Sequence, residues 1–346
     1  MNRTAHIMRA VALCFIAQSA FAQPVPNGEL DCLLQRGIRS VLLQSYDEAE
    51  STFAATTERF PESPAGPLFH AAVLHQRAGD LGIEFNSGMF DSLLTLVHVR
   101  CDVRTSRDPL WNKSILATAK GMLAVEAAEE GSWVIVIRDA IASSSLAEEV
   151  LGTDSTMYDA ALPLGNYYYW KTRKTEFLTW LPFVGDMRDR GIALLRKCAE
   201  HGRYQRYAAL NSLVWVLIDA ARVDEAIVVV NTGLDAFPRN RTFLRGLAAC
   251  QERMSDPLQA AATWLEVIAT LSNERHTGTF AEYASRINRA RCLLAARQYA
   301  ECRQELDRAA RVEIRSVPEW MKARMAAKRT EESEVGDALA RAMSSR

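Results

Sequence analysis

The chain has 346 residues, of which 49% are hydrophobic, and its 41 basic and 42 acidic side chains leave a formal net charge of −1 at pH 7. Charges so nearly balanced, with both signs interspersed, exclude the basic footprint of a nucleic-acid-binding protein. The ordinary apolar share excludes a disordered chain, except near the C-terminus.

The segment Met1 to Ala22 has the order of a cleaved secretory signal. Arg3 and Arg9 precede the apolar run Ala10 to Ile16, and Ala20-Phe21-Ala22 forms a small-x-small cleavage site before Gln23. Pro24 and Pro26 would then break any continuing helix. Cleavage after Ala22 removes two basic and no acidic groups, so 39 face 42 and the balance becomes −3. No later stretch offers the roughly 18 uninterrupted apolar residues of a membrane-spanning helix. The predicted location is periplasmic or secreted. Of seven cysteines, Cys14 leaves with the signal, and Cys32, Cys101, Cys198, Cys250, Cys292 and Cys302 remain. No pair has C-x-x-C spacing, so no zinc or redox centre is indicated. Disulfides and buried free thiols both stay open, with Cys292 and Cys302 the first pair to consider because they fall on facing helices of one hairpin.

Apolar periodicity and cap residues then predict seven helical pairs. In chain order they are 28–43 with 46–60, 64–79 with 88–102, 109–130 with 132–151, 155–170 with 186–200, 204–220 with 223–236, 240–254 with 256–272, and 278–296 with 298–313. A helix over about 317–332 closes the array, and a polar tail follows. Ser45-x-x-Glu48 and Ser316-x-x-Glu319 have capping-box spacing, and Asp108-Pro109 and Asp256-Pro257 place a cap before a first-turn proline. Two β-branched runs, Trp133 to Ile137 and Ile227 to Val230, could be strands. Each follows a turn and runs into sequence of helical spacing, so both are read as helix.

One spacing recurs. Ala49 is followed by Phe53 at the fourth place and Pro61 at the twelfth, and Ala226 by Val230 and Pro238 at the same intervals. From Ala226 to Ala260, which is followed by Trp264, the interval is 34. Gly191 with Leu195, and Cys302 with Tyr299 and Leu306, fit the same register, and Val136 with Trp133 and Ala140 fits it less well. This pattern resembles the second helix of the tetratricopeptide repeat, which has that same period and whose small residue sits where two antiparallel helices cross. The first-helix signature is partial: Leu33 with Gly37, Leu210 with Val214 and Leu217, and Leu244 with Ala248. The resemblance implies an all-α, right-handed α-solenoid of about seven tetratricopeptide-like hairpins, with residues 1–22 as signal, 23–313 as repeat domain and 314–346 as capping helix and tail. The chain also resembles exported bacterial tetratricopeptide proteins around Tyr158 to Leu195.

The register breaks twice. From Ala260 to Cys302 the interval is 42, which places an insertion near Ser272 to Gly278. A larger break carries Asn166-Tyr167-Tyr168-Tyr169-Trp170, a basic Lys171 to Lys174, and Trp180-Leu181-Pro182-Phe183. This aromatic and basic stretch either lines a binding groove, with Tyr168, Trp170 and Trp180 as contacts, or packs as local core.

Chemistry-bearing motifs are missing. His70, His75, His98, His201 and His276 have no H-E-x-x-H spacing, and there is no G-x-G-x-x-G, phosphate-binding loop or G-x-S-x-G. No cofactor or catalytic residue is expected. The triplets at Asn112 and Asn240 would be glycan acceptors only in a eukaryotic secretory route. The resemblance implies an unknown protein or peptide partner in the concave groove, lined by the fifth and ninth first-helix positions: Asn211, Trp215, Arg245 and Arg291. The competing readings are an envelope glycan-acting enzyme, with Asp186, Asp189 and Glu200 near the aromatic stretch, or a lipid- or sugar-binding protein using the insertion over 166–186.

Overall fold

The computed structural model describes residues 27–84, 86–102, 108–176, 185–271, 279–314 and 317–344. The predicted signal, the insertion at 272–278, Ser316 and the stretch Trp180 to Phe183 lie outside these residues. Fifteen α-helices and no strand are found among the described residues. They pair in chain order as α1 Gly28–Leu42 with α2 Tyr46–Arg59, α3 Ala65–Leu81 with α4 Ser87–Arg100, α5 Pro109–Glu129 with α6 Trp133–Thr153, and α7 Ala161–Lys174 with α8 Arg188–His201. The series continues with α9 Arg206–Asp219 and α10 Val223–Ala236, α11 Arg241–Arg253 and α12 Pro257–Leu271, and α13 Phe280–Ala295 and α14 Tyr299–Ala310, and it ends with α15 Lys322–Ser344. The chain is an all-α helical-repeat solenoid. Both β-branched runs are helical, in α6 and α10: a propensity cost of a few tenths of a kcal/mol per residue is outweighed in α10 by burial of Val229 and Val230, and in α6 by the buried opposite face of the same helix.

The recurring small and large residues are the hairpin crossings. Ala49, Phe53, Ala226, Val230, Ala260, Leu195 and Cys302 are buried, as is Gly191. A second repeat device is invisible in residue type. The residue two places before the second helix is left-handed in five hairpins: Gln44, Gly131, Ala221, Ser255 and Arg297, with φ between 57° and 78°. Ala221 and Ser255 are separated by the same interval as Ala226 and Ala260, so the turn obeys the period even though only one of the five is glycine.

The predicted caps act in part. Asp108 accepts from the Trp111 amide and Asp256 from the Gln259 amide, whereas Ser45 makes no side-chain cap bond. Asn27, Asn86, Asn240 and Thr279 also cap helices. Asn112 and Asn240 are buried, with their amides donating to the carbonyls of Arg100 and Leu42, so neither is presented as a glycan acceptor. All six described cysteines are free thiols, and Cys292 and Cys302 are both buried without a bridge.

The sequence places the fourth hairpin's first helix from 155, but α7 begins at Ala161 after a 3-10 turn at Tyr158–Ala160. Asp159 in that turn accepts from the amides of Tyr204 and Gln205, and so caps the start of α9 instead. The C-terminal helix also runs further than predicted, through the polar run to Ser344. Val335 and Leu339, one helical turn apart, bury against the core of the sixth and seventh hairpins and carry it onward.

Successive turns of the solenoid touch. Asp31 of α1 bonds Arg203 and Tyr204, which precede α9. The end of α3 lies against α11 and α13: Leu81 joins the core of Leu244, Ala248 and Trp264, and Gly82 lies against Phe280. Arg324 at the start of α15 reaches Glu129 at the end of α5. The first helices of the hairpins make most of these contacts, so they form the inner wall.

Candidate functional site

Asp80, near the C-terminal end of α3, is fully buried and is the centre of the inner wall. Its Oδ2 accepts from Tyr46 Oη at 2.8 Å, Arg241 Nε at 2.8 Å and Arg241 Nη2 at 2.5 Å. Its Oδ1 accepts from Arg245 Nη1 at 2.8 Å, and its backbone carbonyl from Arg245 Nη2 at 2.7 Å. Burial alone would push this carboxyl upward, but the Arg245 and Arg241 guanidinium groups and the Tyr46 hydroxyl outweigh it and hold it below the usual carboxylate range. Burial and the adjacent Asp80 charge push the Tyr46 hydroxyl far upward, so it stays a donor. Two cations share one carboxylate, and the second hairpin is locked to the sixth.

This clasp changes the reading of the predicted site. Arg245, expected to meet a partner, is committed to Asp80. Arg291 bonds Glu252 at 2.7 Å and Glu331 of α15 at 3.2 Å, yet stays close to half exposed. Trp215 is 41% exposed on α9, and its indole N–H donates to Asn211 Oδ1 at 3.1 Å, one turn earlier. Asn211 and Trp215 are thus brought together as an aromatic plate held by an amide.

The aromatic stretch divides. Tyr168 is buried, donates to the Glu148 carboxylate and stacks under the Arg190 guanidinium at 4.9 Å. Tyr169 is fully buried and donates to Asp219 Oδ2 at 2.7 Å, which also holds Arg173. Tyr168 is core between α6, α7 and α8, and Tyr169 is core between α7, α8 and α9. Trp170 alone of the described aromatics at this break projects, 37% exposed and edge-on to Tyr169. Trp180 lies outside the described residues. Asp186 and Asp189 are held in ion pairs by Arg188 and Arg222, respectively. Among the described residues no group of three metal-ligating side chains is gathered, and no helix is long and apolar enough to cross a membrane.

Residue spacing missed the clasp itself. Asp80 and Arg241 are 161 residues apart and Asp31 and Arg203 172 apart, and neither pair belongs to the repeat register.

One half-buried carboxyl gives a pH signature. Burial first, then Asp91, Glu130 and Glu129, raise Glu126 from 4.5 to about 7, with His75 opposing. A raised carboxyl contributes stability that is complete below about 4.5 and lost as pH rises through about 7. Glu126→Gln should therefore lose less stability than the parent between pH 5 and pH 8, by on the order of 1–2 kcal/mol once solvent screening is allowed for. Urea melts at the two pH values check this; parallel losses in both proteins would remove Glu126 as the source.

No family model matches the chain, and no curated protein does. Among solved structures it is similar to the Cut9–Hcn1 hetero-tetramer of the APC/C, at 11% identity and a TM-score of 0.54, over 92% of this chain and 57% of that one. A tetratricopeptide repeat protein from Parabacteroides merdae aligns at 14% identity and a TM-score of 0.41, over 89% of this chain and all of that one.

Proposed function

On the tetratricopeptide-repeat fold that this chain adopts, we propose that it is an exported scaffold that holds a protein or peptide partner on the inner wall beside the Asp80 clasp. Trp215 carries this reading. A large aromatic left two-fifths exposed on a first helix, with its indole fixed by Asn211, offers contact area at little entropic cost. Arg291 supplies a charged group further along the wall, already turned toward carboxylates and so suited to an acidic segment. Arg245 belongs to the clasp and is left out of the contact set. Location in the periplasm or outside the cell rests on the N-terminal sequence alone. No reaction is assigned.

Crosslinked capture from the native envelope tests the proposal. A partner retained by the parent should be retained about five- to thirtyfold less by Trp215→Ala, in keeping with a hot-spot loss of about 1–2 kcal/mol, while the melting temperature stays within a few degrees. Equal capture by the variant and the parent would remove the inner wall as the docking face.

A further inference from the structure

Among the described residues, one face of α6 has no covering neighbour. On α6, Trp133 is 58% exposed, Val134 83% and Ile137 60%, and Ile135 and Ile141 are also exposed. The opposite side of α6, with Asp139, Ser143, Ala147 and Val150, is buried. Trp133, Ile137 and Ile141 recur at every fourth position, so they form one stripe with Ile137 at its middle.

We propose that this stripe is a homodimer interface, in which the α6 helices of two copies pack antiparallel about a two-fold axis near Ile137. The spacing is symmetric about that residue. An isologous contact there sets Trp133 of each copy over Ile141 of the other and Ile137 against itself, which self-complementary docking requires. From their exposed fractions, Trp133, Val134, Ile137 and Ile141, which share one side of the helix, leave roughly 480 Å² of apolar surface per copy, so a dimer removes about 950 Å² from water, close to the lower bound for a specific interface. Charge does not oppose the pairing. Arg138, the basic residue beside the stripe, is paired with Asp139, which also takes Lys120, and in the antiparallel arrangement it faces no cation of the stripe.

A lipid surface is the other apolar occupant to weigh. Glu130 stands exposed on the same hairpin just before the stripe, and its carboxylate repels anionic headgroups. The stripe lies on a second helix, in the outer layer, so the dimer is independent of the inner-wall reading.

Sedimentation velocity of the purified protein between about 1 and 100 µM decides the matter. The parent should sediment as a dimer at the upper end. Ile137→Glu should dissociate at least about a hundredfold more readily, with an unchanged melt because the position is exposed, and Val134→Glu should act in the same direction. Thr153→Glu, exposed at the far end of the same helix, should leave the dimer intact. A parent that remains monomeric throughout overturns the proposal, as does a dimer indifferent to both apolar-to-Glu changes. Co-sedimentation of the monomer with anionic vesicles, lost in Ile137→Glu, would overturn it in favour of a membrane surface.

Discussion

Asp80→Ala should lower the stability of the folded chain by about 3–5 kcal/mol, because it leaves Arg241 buried without its carboxylate. Arg245, one-fifth exposed, can turn toward water and loses less. The loss is a large part of the roughly 5–15 kcal/mol that holds a typical domain. Urea denaturation gives the value directly, and Asp80→Ala combined with Arg241→Met should recover part of it, since removing both charges is far less damaging than removing one. A single-mutant loss under about 1 kcal/mol would mean that the clasp does not hold the turns together. The pH dependence has a definite sign. Asp80 is depressed below 3.8, so its contribution is present above that value and disappears only as pH falls through the lower folded value. Mild acid should leave the clasp closed.

Gly191→Val should cost about 3 kcal/mol, at the upper end for an overpacked crossing. A Cβ at Gly191 would lie 2.7 Å from the carbonyl oxygen of Gly165 and 3.0 Å from the amide nitrogen of Tyr169. Both neighbours are backbone, so no side chain can rotate aside, and α7 and α8 must separate. Tyr169 would then lose its seat, and with it the bond to Asp219 that ties α7 to α9. Gly336 in α15 is the control, because a Cβ there meets nothing within 4 Å. Gly336→Ala should stabilise by about 0.5–1 kcal/mol through helix propensity alone. Thermal melts of the two variants should therefore move in opposite directions; a Gly191→Val protein as stable as the parent would show that the crossing is looser than its geometry.

Gly191 was legible in the sequence as the small member of a crossing pair, whereas its counterpart Gly165 was not. The small residue of a second helix recurs at a fixed interval with a large one four places on, while the first-helix signature in this chain is too degenerate to mark its partner. The helix at 322–344 was half legible. Lys328 to Glu334 looks like a solvated helix end, and only the apolar core waiting for Val335 and Leu339 makes the chain continue. The left-handed turns at Gln44, Ala221, Ser255 and Arg297 left no signal, because the two helices they join force a conformation that those residue types do not prefer.

For the candidate site the division is sharper. The register picked out Asn211 and Trp215 on one face of α9, a relation between adjacent turns that the helix alone guarantees. It also picked out Arg245, but could not see Asp80. The sequence by itself determined the all-α class, the seven hairpins and their crossings, since each depends on contacts within one or two repeats of chain. Only the tertiary structure decided that the second hairpin closes on the sixth, that Tyr168 and Tyr169 are core, and that among the described residues the stripe on α6 stays bare. Those outcomes depend on how small rotations between hairpins accumulate until distant turns meet, and no local spacing records that sum.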